Sequence, residues 1–187
     1  MKAVSRRAFW NLPNSLTVAR IVAIPVVVAL MLFPGPRMCY IAMWVFVIAC
    51  ITDAVDGFLA RRMGLTSTLG AFLDPLADKL LVTAAMVMLI PLDRIPAWMV
   101  VVLLSREITI TALRGIAANE GIVIAAGKLG KYKTAFQDTA LAFLIFHHEW
   151  RGIDPHSVGI VLMWFALAYS LASGWGYLRG FVRATME

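Results

Sequence analysis

The chain has 187 residues, 61% of them hydrophobic and 15% charged, with a net charge of +6. A soluble domain of this size carries roughly a quarter charged residues, so the composition excludes an ordinary aqueous globular fold and points to a bilayer. The basic excess is not a nucleic-acid surface either, because Lys and Arg lie at the ends of apolar segments instead of forming one solvated run.

A helix crosses the hydrocarbon in roughly 20 apolar residues. The expected fold is therefore all-α and polytopic, a bundle of six transmembrane helices forming a single membrane-embedded domain over residues 1–187. Arg6-Arg7-Ala8-Phe9-Trp10 combines basic and aromatic residues ahead of the first span, as a short N-terminal interfacial helix does. The first apolar segment, residues 16–33, contains Arg20 and has no clear small-residue cleavage site, so it reads as a retained helix and not a signal peptide. The second, residues 38–60, carries Cys39 and Cys50. At about 1.5 Å rise per residue these are too far apart along one helix to pair. Further apolar segments cover residues 68–90, 97–116, a short 135–146, and 158–177. Pro34-Gly35-Pro36, Met63-Gly64, residues 91–96, 119–133 and 152–155 punctuate them.

Six spans place both termini on one side. Lys2, Arg6, Arg7, Arg61, Arg62, Lys128, Lys131, Lys133, Arg179 and Arg183 all fall there, against Arg37, Arg94 and Arg151 opposite, so that side is expected to be cytoplasmic.

Four acids violate the apolar pattern. An ionised side chain at mid-membrane costs at least about 2.5–3.5 kcal/mol, yet Asp53, Asp56, Asp74 and Asp78 occupy two consecutive spans. Spacings of three and four put each pair on one helix face. With the turn near Leu65, Asp53 is level with Asp78 and Asp56 with Asp74, so the four are expected to form a box. It lies roughly 14–19 Å below the turn at 1.5 Å per residue, within reach of the cytoplasm. Carboxylates this close ionise together only if cations neutralise them, and an oxygen-only donor set favours Mg²⁺ or Mn²⁺ over zinc. The alternative is protonated acids or ion pairs with Arg61, Arg62 and Lys79. Gly57, Ala60, Gly70 and Ala71 keep the surroundings of the box small, and Pro75 frees a backbone carbonyl beside Asp74.

The stretch Asp53-Ala54-Val55-Asp56-Gly57-Phe58-Leu59-Ala60-Arg61, then eight residues, then Gly70-Ala71-Phe72-Leu73-Asp74-Pro75-Leu76-Ala77-Asp78 resembles the signature of the CDP-alcohol phosphatidyltransferases, and fills every fixed position of it. The resemblance implies that Asp53, Asp56, Asp74 and Asp78 hold two divalent cations, with Asp78 as the base that takes the proton of the acceptor hydroxyl. It also implies that Asn14, Thr17, Gly57, Ala60, Arg61, Ser67 and Gly70 meet the CDP-lipid, and that the enzyme is a homodimer. Outside the signature, the run from Asn11 to Arg20, Ser105-Arg106-Glu107, Leu113-Arg114, and Gly130-Lys131-Tyr132-Lys133-Thr134 with Gln137 are similar to bacterial phosphatidylglycerophosphate synthases. That implies CDP-diacylglycerol and sn-glycerol 3-phosphate as substrates, in the bacterial cytoplasmic (inner) membrane with the active site open to the cytoplasm. A phosphorylated acceptor needs a cationic pocket, and Arg106, Arg114, Lys131 and Lys133 are the candidates. Arg106 stands out because it falls mid-span, where a topological charge does not belong. Serine, inositol phosphate and phosphatidylglycerol are the alternative acceptors. A divalent-cation channel or carrier would also place acids on facing helices, but it accounts for neither Ala60-Arg61 nor the cationic cluster.

Overall fold

The computed structural model describes residues 12–63, 68–120, 128–150 and 152–186, with side chains at 17–53, 73–120, 129–150 and 152–183. Among the described residues the chain is all-helical. The helices are α1 Leu12–Met31, α2 Pro36–Met63, α3 Thr68–Leu89, α4 Ala97–Asn119, α5 Lys128–Phe146 and α6 Pro155–Met186. The expected interfacial helix around residues 6–10 lies outside the described residues.

Five of the six apolar segments predict their helices to within a few residues at the N-terminal end. The fifth does not. Hydropathy places its start at residue 135, whereas α5 begins at Lys128. Lys131 and Lys133 therefore ride on a helix and do not belong to a connection. Lysine side chains on a helical turn carry no hydropathy signal, although their helix propensity is about as good as that of leucine. For the same reason α6 runs on past Tyr177 through Arg179 and Arg183.

Two compact units divide the chain. One comprises Met1–Met88 with Ile145–His148, the other Leu89–Leu144 with Glu149–Glu187. In the first, Val27, Cys39, Ala42, Phe46, Ala77, Leu81 and Ala85 are sealed from solvent. Both cysteines are free thiols. In the second, Met99, Leu103, Ala140, Leu141, Leu144, Met163 and Ala166 form the core. A Cβ on Gly159 would meet Leu144 Cγ at 2.7 Å, so only glycine lets α6 approach α5 this closely.

The helix ends follow local chemistry. After α3, Asp93 adopts the left-handed conformation (φ 55°), while the Asp93 and Arg94 amides donate to the Ile90 and Leu89 carbonyls at 3.0 and 3.1 Å. That is a Schellman closure with aspartate in place of the usual glycine. Arg94, which the sequence places in a connection, is buried and donates to the Leu144 carbonyl. At the start of α6, Asp154 accepts from the His156 and Ser157 amides at 3.0 and 3.2 Å and from the Ser157 hydroxyl at 2.5 Å, with Pro155 in the first helical position.

The exterior is apolar as well. Every helix exposes large hydrophobic side chains, among them Val22, Trp44, Leu80, Ile108, Tyr132 and Trp164. Surfaces of this kind face lipid or another protein. Two stretches among the described residues, Pro36–Asp53 and Pro155–Arg183, are long and apolar enough to cross a membrane by length and composition.

Candidate active site

α1 reaches both acid-bearing helices. Thr17 and Arg20 are three residues apart and so share one face of α1. Thr17 donates its hydroxyl to Asp74 Oδ1 on α3. Arg20 pairs with Asp53 on α2, Nη1 to Oδ1 at 2.6 Å, while its Nε donates to the Ala49 carbonyl at 3.3 Å. The arginine side chain is 1% exposed and the aspartate 37%, so the cation forms the floor of the site and the carboxylate its open side. Asp53 and Asp74 lie close enough for their charges to repel. The bond from Thr17 and the ion pair with Arg20 offset that repulsion.

These contacts add to the expected site. Asp53 finds a cation in Arg20 on the preceding helix, a partner that neither the metal reading nor the alternative of ion pairs with Arg61, Arg62 and Lys79 named. The rule that singles out Arg106, a charge inside an apolar span, applies equally to Arg20. The structure brings Asp53 and Asp74 together across the diagonal of the expected box, and Asp78 lies one turn further along α3. The side chains of Asn14, Asp56, Gly57, Ala60, Arg61, Ser67 and Gly70 lie outside the described residues. Among those described, no three metal-ligating side chains gather in one cluster. The donors that do meet are carboxylate and hydroxyl oxygens, which suit a hard divalent cation.

A second site belongs to the other unit. Arg106, Glu107 and Arg114 of α4 and Lys131, Lys133 and Thr134 of α5 line a cavity of about 510 Å³. All four predicted cations thus share one cavity. Glu107 Oε2 accepts from Arg106 Nη1 at 3.2 Å and from Lys133 Nζ at 2.8 Å, clasping both. Lys133 is buried, which a mere topology signal would not be, while Lys131 is exposed. The Arg114 guanidinium lies 5.5 Å from the centre of the Tyr177 ring, held by a cation–π contact. Arg106 also bonds to Ser170 and Ser173 of α6. Sequence reasoning quoted Glu107 beside Arg106 but missed its role as a clasp, and it missed the two serines altogether, since serine is not unusual in a membrane helix.

The sequence model for CDP-alcohol phosphatidyltransferase matches residues 10–172, nearly the whole chain and both units. The chain belongs to the CDP-alcohol phosphatidyltransferase family. Transferases of this family depend in general on divalent metal. Among its relatives, the chain is similar to the CDP-diacylglycerol–glycerol-3-phosphate 3-phosphatidyltransferase of Bacillus subtilis (strain 168), with 41% identity covering 90% of this chain and 93% of that one. It is 35% identical to the protein of the same name from Rickettsia typhi, over 90% of this chain and 96% of the relative. A cardiolipin synthase (CMP-forming) of Oryza sativa subsp. japonica is 39% identical over 72% of this chain and 45% of its own length.

Proposed function

We propose that this member of the family transfers the phosphatidyl group of CDP-diacylglycerol to sn-glycerol 3-phosphate, releasing CMP and forming phosphatidylglycerophosphate. Family membership and the named activity of the Bacillus and Rickettsia relatives support the reaction. The observation that carries the acceptor is the cavity lined by Arg106, Arg114, Lys131 and Lys133. Glycerol 3-phosphate differs from glycerol by its phosphate, and a cluster of cationic donors discriminates on that group.

In the reaction, a terminal hydroxyl of glycerol 3-phosphate attacks the phosphorus that bears the diacylglycerol. The new oxygen–phosphorus bond forms as the bond to CMP breaks, CMP leaves with the electron pair, and the hydroxyl proton passes to Asp78. Asp53, Asp56, Asp74 and Asp78 would hold two cations, Mg²⁺ or Mn²⁺, which supply charge neutralisation on the diphosphate when bound. Thr17 and Arg20 fix the Asp74 and Asp53 carboxylates. Asn14, Thr17, Gly57, Ala60, Arg61, Ser67 and Gly70 receive the CDP-lipid. The bilayer arrangement is six spans in one membrane domain, with both termini and the active site on the cytoplasmic side of a bacterial inner membrane, as a homodimer. The exposed apolar side chains on every helix support it.

Acceptor profiling with radiolabelled alcohols tests the assignment. Purified protein should form phosphatidylglycerophosphate in preference to the products of serine, inositol phosphate or phosphatidylglycerol. The rice relative, named for cardiolipin, makes phosphatidylglycerol a necessary arm. A divalent-cation carrier would release no CMP in any arm.

A further inference from the structure

Arg106 is held by α6 independently of any ligand. Its Nε donates to the Ser170 carbonyl at 3.0 Å, Nη2 to Ser173 Oγ at 2.6 Å, and Nη1 to Glu107 Oε2 at 3.2 Å. Ser173 Oγ donates in turn to the Ser170 carbonyl at 3.1 Å, which commits its hydrogen and leaves lone pairs for the guanidinium. Ser170 is fully buried, so this anchor lies in the core of the unit.

Gly174 completes the seat. A Cβ there would stand 3.3 Å from Arg106 Nε and 3.4 Å from Cγ, tighter than ordinary contact. A flexible arginine could swing aside, but this one is tied at all three nitrogens and cannot move without lengthening those bonds. Two residues further along the same helix, a Cβ on Gly176 would meet nothing within 4 Å. The demand for glycine is therefore local to the path of the Arg106 side chain. A guanidinium has five N–H groups. Among the described residues three are engaged, which leaves two for a ligand in the cavity.

We infer that Ser173 and Gly174 are positioning residues for the acceptor phosphate: they hold the Arg106 guanidinium in one pose, so that binding does not have to order a long side chain. An unseated arginine keeps the same charge but loses rotamer freedom each time it binds, which weakens affinity. The inference rests on the reading of Arg106 as a phosphate ligand.

Steady-state kinetics of the full-length enzyme in detergent micelles, with each substrate varied in turn, tests it. Ser173→Ala and Gly174→Ala should each raise the KM for glycerol 3-phosphate about five- to tenfold, with the KM for CDP-diacylglycerol within about twofold of wild type. Ser173→Thr, which keeps the hydroxyl, should restore the acceptor KM, and Gly176→Ala should match wild type throughout. If Arg106→Ala leaves the acceptor KM unchanged, the phosphate assignment itself is wrong. If Arg106→Ala raises it while Ser173→Ala and Gly174→Ala do not, the seat alone is overturned. Equal changes in both KM values for the seat variants also overturn it, since they signify a structural role only. Should Ser173→Ala prevent folding, Gly174→Ala carries the test, and a wild-type acceptor KM in that variant is equally fatal.

Discussion

At Arg20 a cation with 1% exposed side chain meets a carboxylate that opens outward. Removing the guanidinium leaves Asp53 beside Asp74 with no counter-charge from α1. Arg20→Gln should therefore destabilise the protein by about 1–3 kcal/mol, toward the lower end because Asp53 is partly solvated, and should lower kcat together with stability. Thermal unfolding and turnover of the same preparation check both. The aspartates behave differently. Asp→Asn at Asp56, Asp74 or Asp78 keeps size but removes charge, so activity should collapse while the protein still inserts and folds; Asp53→Asn should also abolish activity but lower Tm as well, because it leaves the buried Arg20 without its carboxylate. Full activity in Asp56→Asn or Asp74→Asn removes that residue from the metal site. Arg106→Ala removes both a phosphate ligand and the tie to α6. It should weaken acceptor binding by about 1.5–3 kcal/mol and also lower Tm, an effect the sequence alone does not predict. Residues of this kind were legible where a charge stood in an apolar run. Ser170, Ser173 and Gly174 were not, because small polar residues and glycines are ordinary in membrane helices and acquire meaning only from what lies opposite them.

The boundaries of the helices divide along the same line. α2, α3 and α4 could be read from hydropathy because Pro and Gly clusters break the chain at their ends, whereas the first turn of α5 could not, because lysines on a helical turn look like a loop. The start of α6 is a local chemical device with a pH dependence of its own. The Ser157 hydroxyl, with smaller help from the Ser157 and His156 amides, holds the Asp154 carboxyl below its ordinary value. A depressed carboxylate stabilises the fold above its unfolded pKa, and that contribution is lost as pH falls through the folded value. Asp154→Ala should therefore lower Tm near neutral pH, and the gap from wild type should close below about pH 4. A gap that persists unchanged in acid would show that the capping carboxylate is not the cause.

For the molecule as a whole, the spacing of four aspartates and the apolar character of the chain were enough to indicate both the family and an all-helical fold. The proposed membrane topology rests on charge asymmetry, which is a property of sequence, and the exposed apolar side chains on every helix are consistent with it. A reporter fused after Glu187 should read as cytoplasmic, and a periplasmic readout would overturn the orientation. Crosslinking in mild detergent should trap a dimer. The central claim is the proposed reaction, a metal-dependent transfer that requires a phosphorylated acceptor. Its most direct test is CMP release by purified protein from CDP-diacylglycerol, with and without glycerol 3-phosphate, before and after EDTA. The account predicts CMP release that requires glycerol 3-phosphate, stops with EDTA and returns with Mg²⁺ or Mn²⁺. CMP release that is indifferent to EDTA, or that proceeds equally well when glycerol replaces glycerol 3-phosphate, would contradict it.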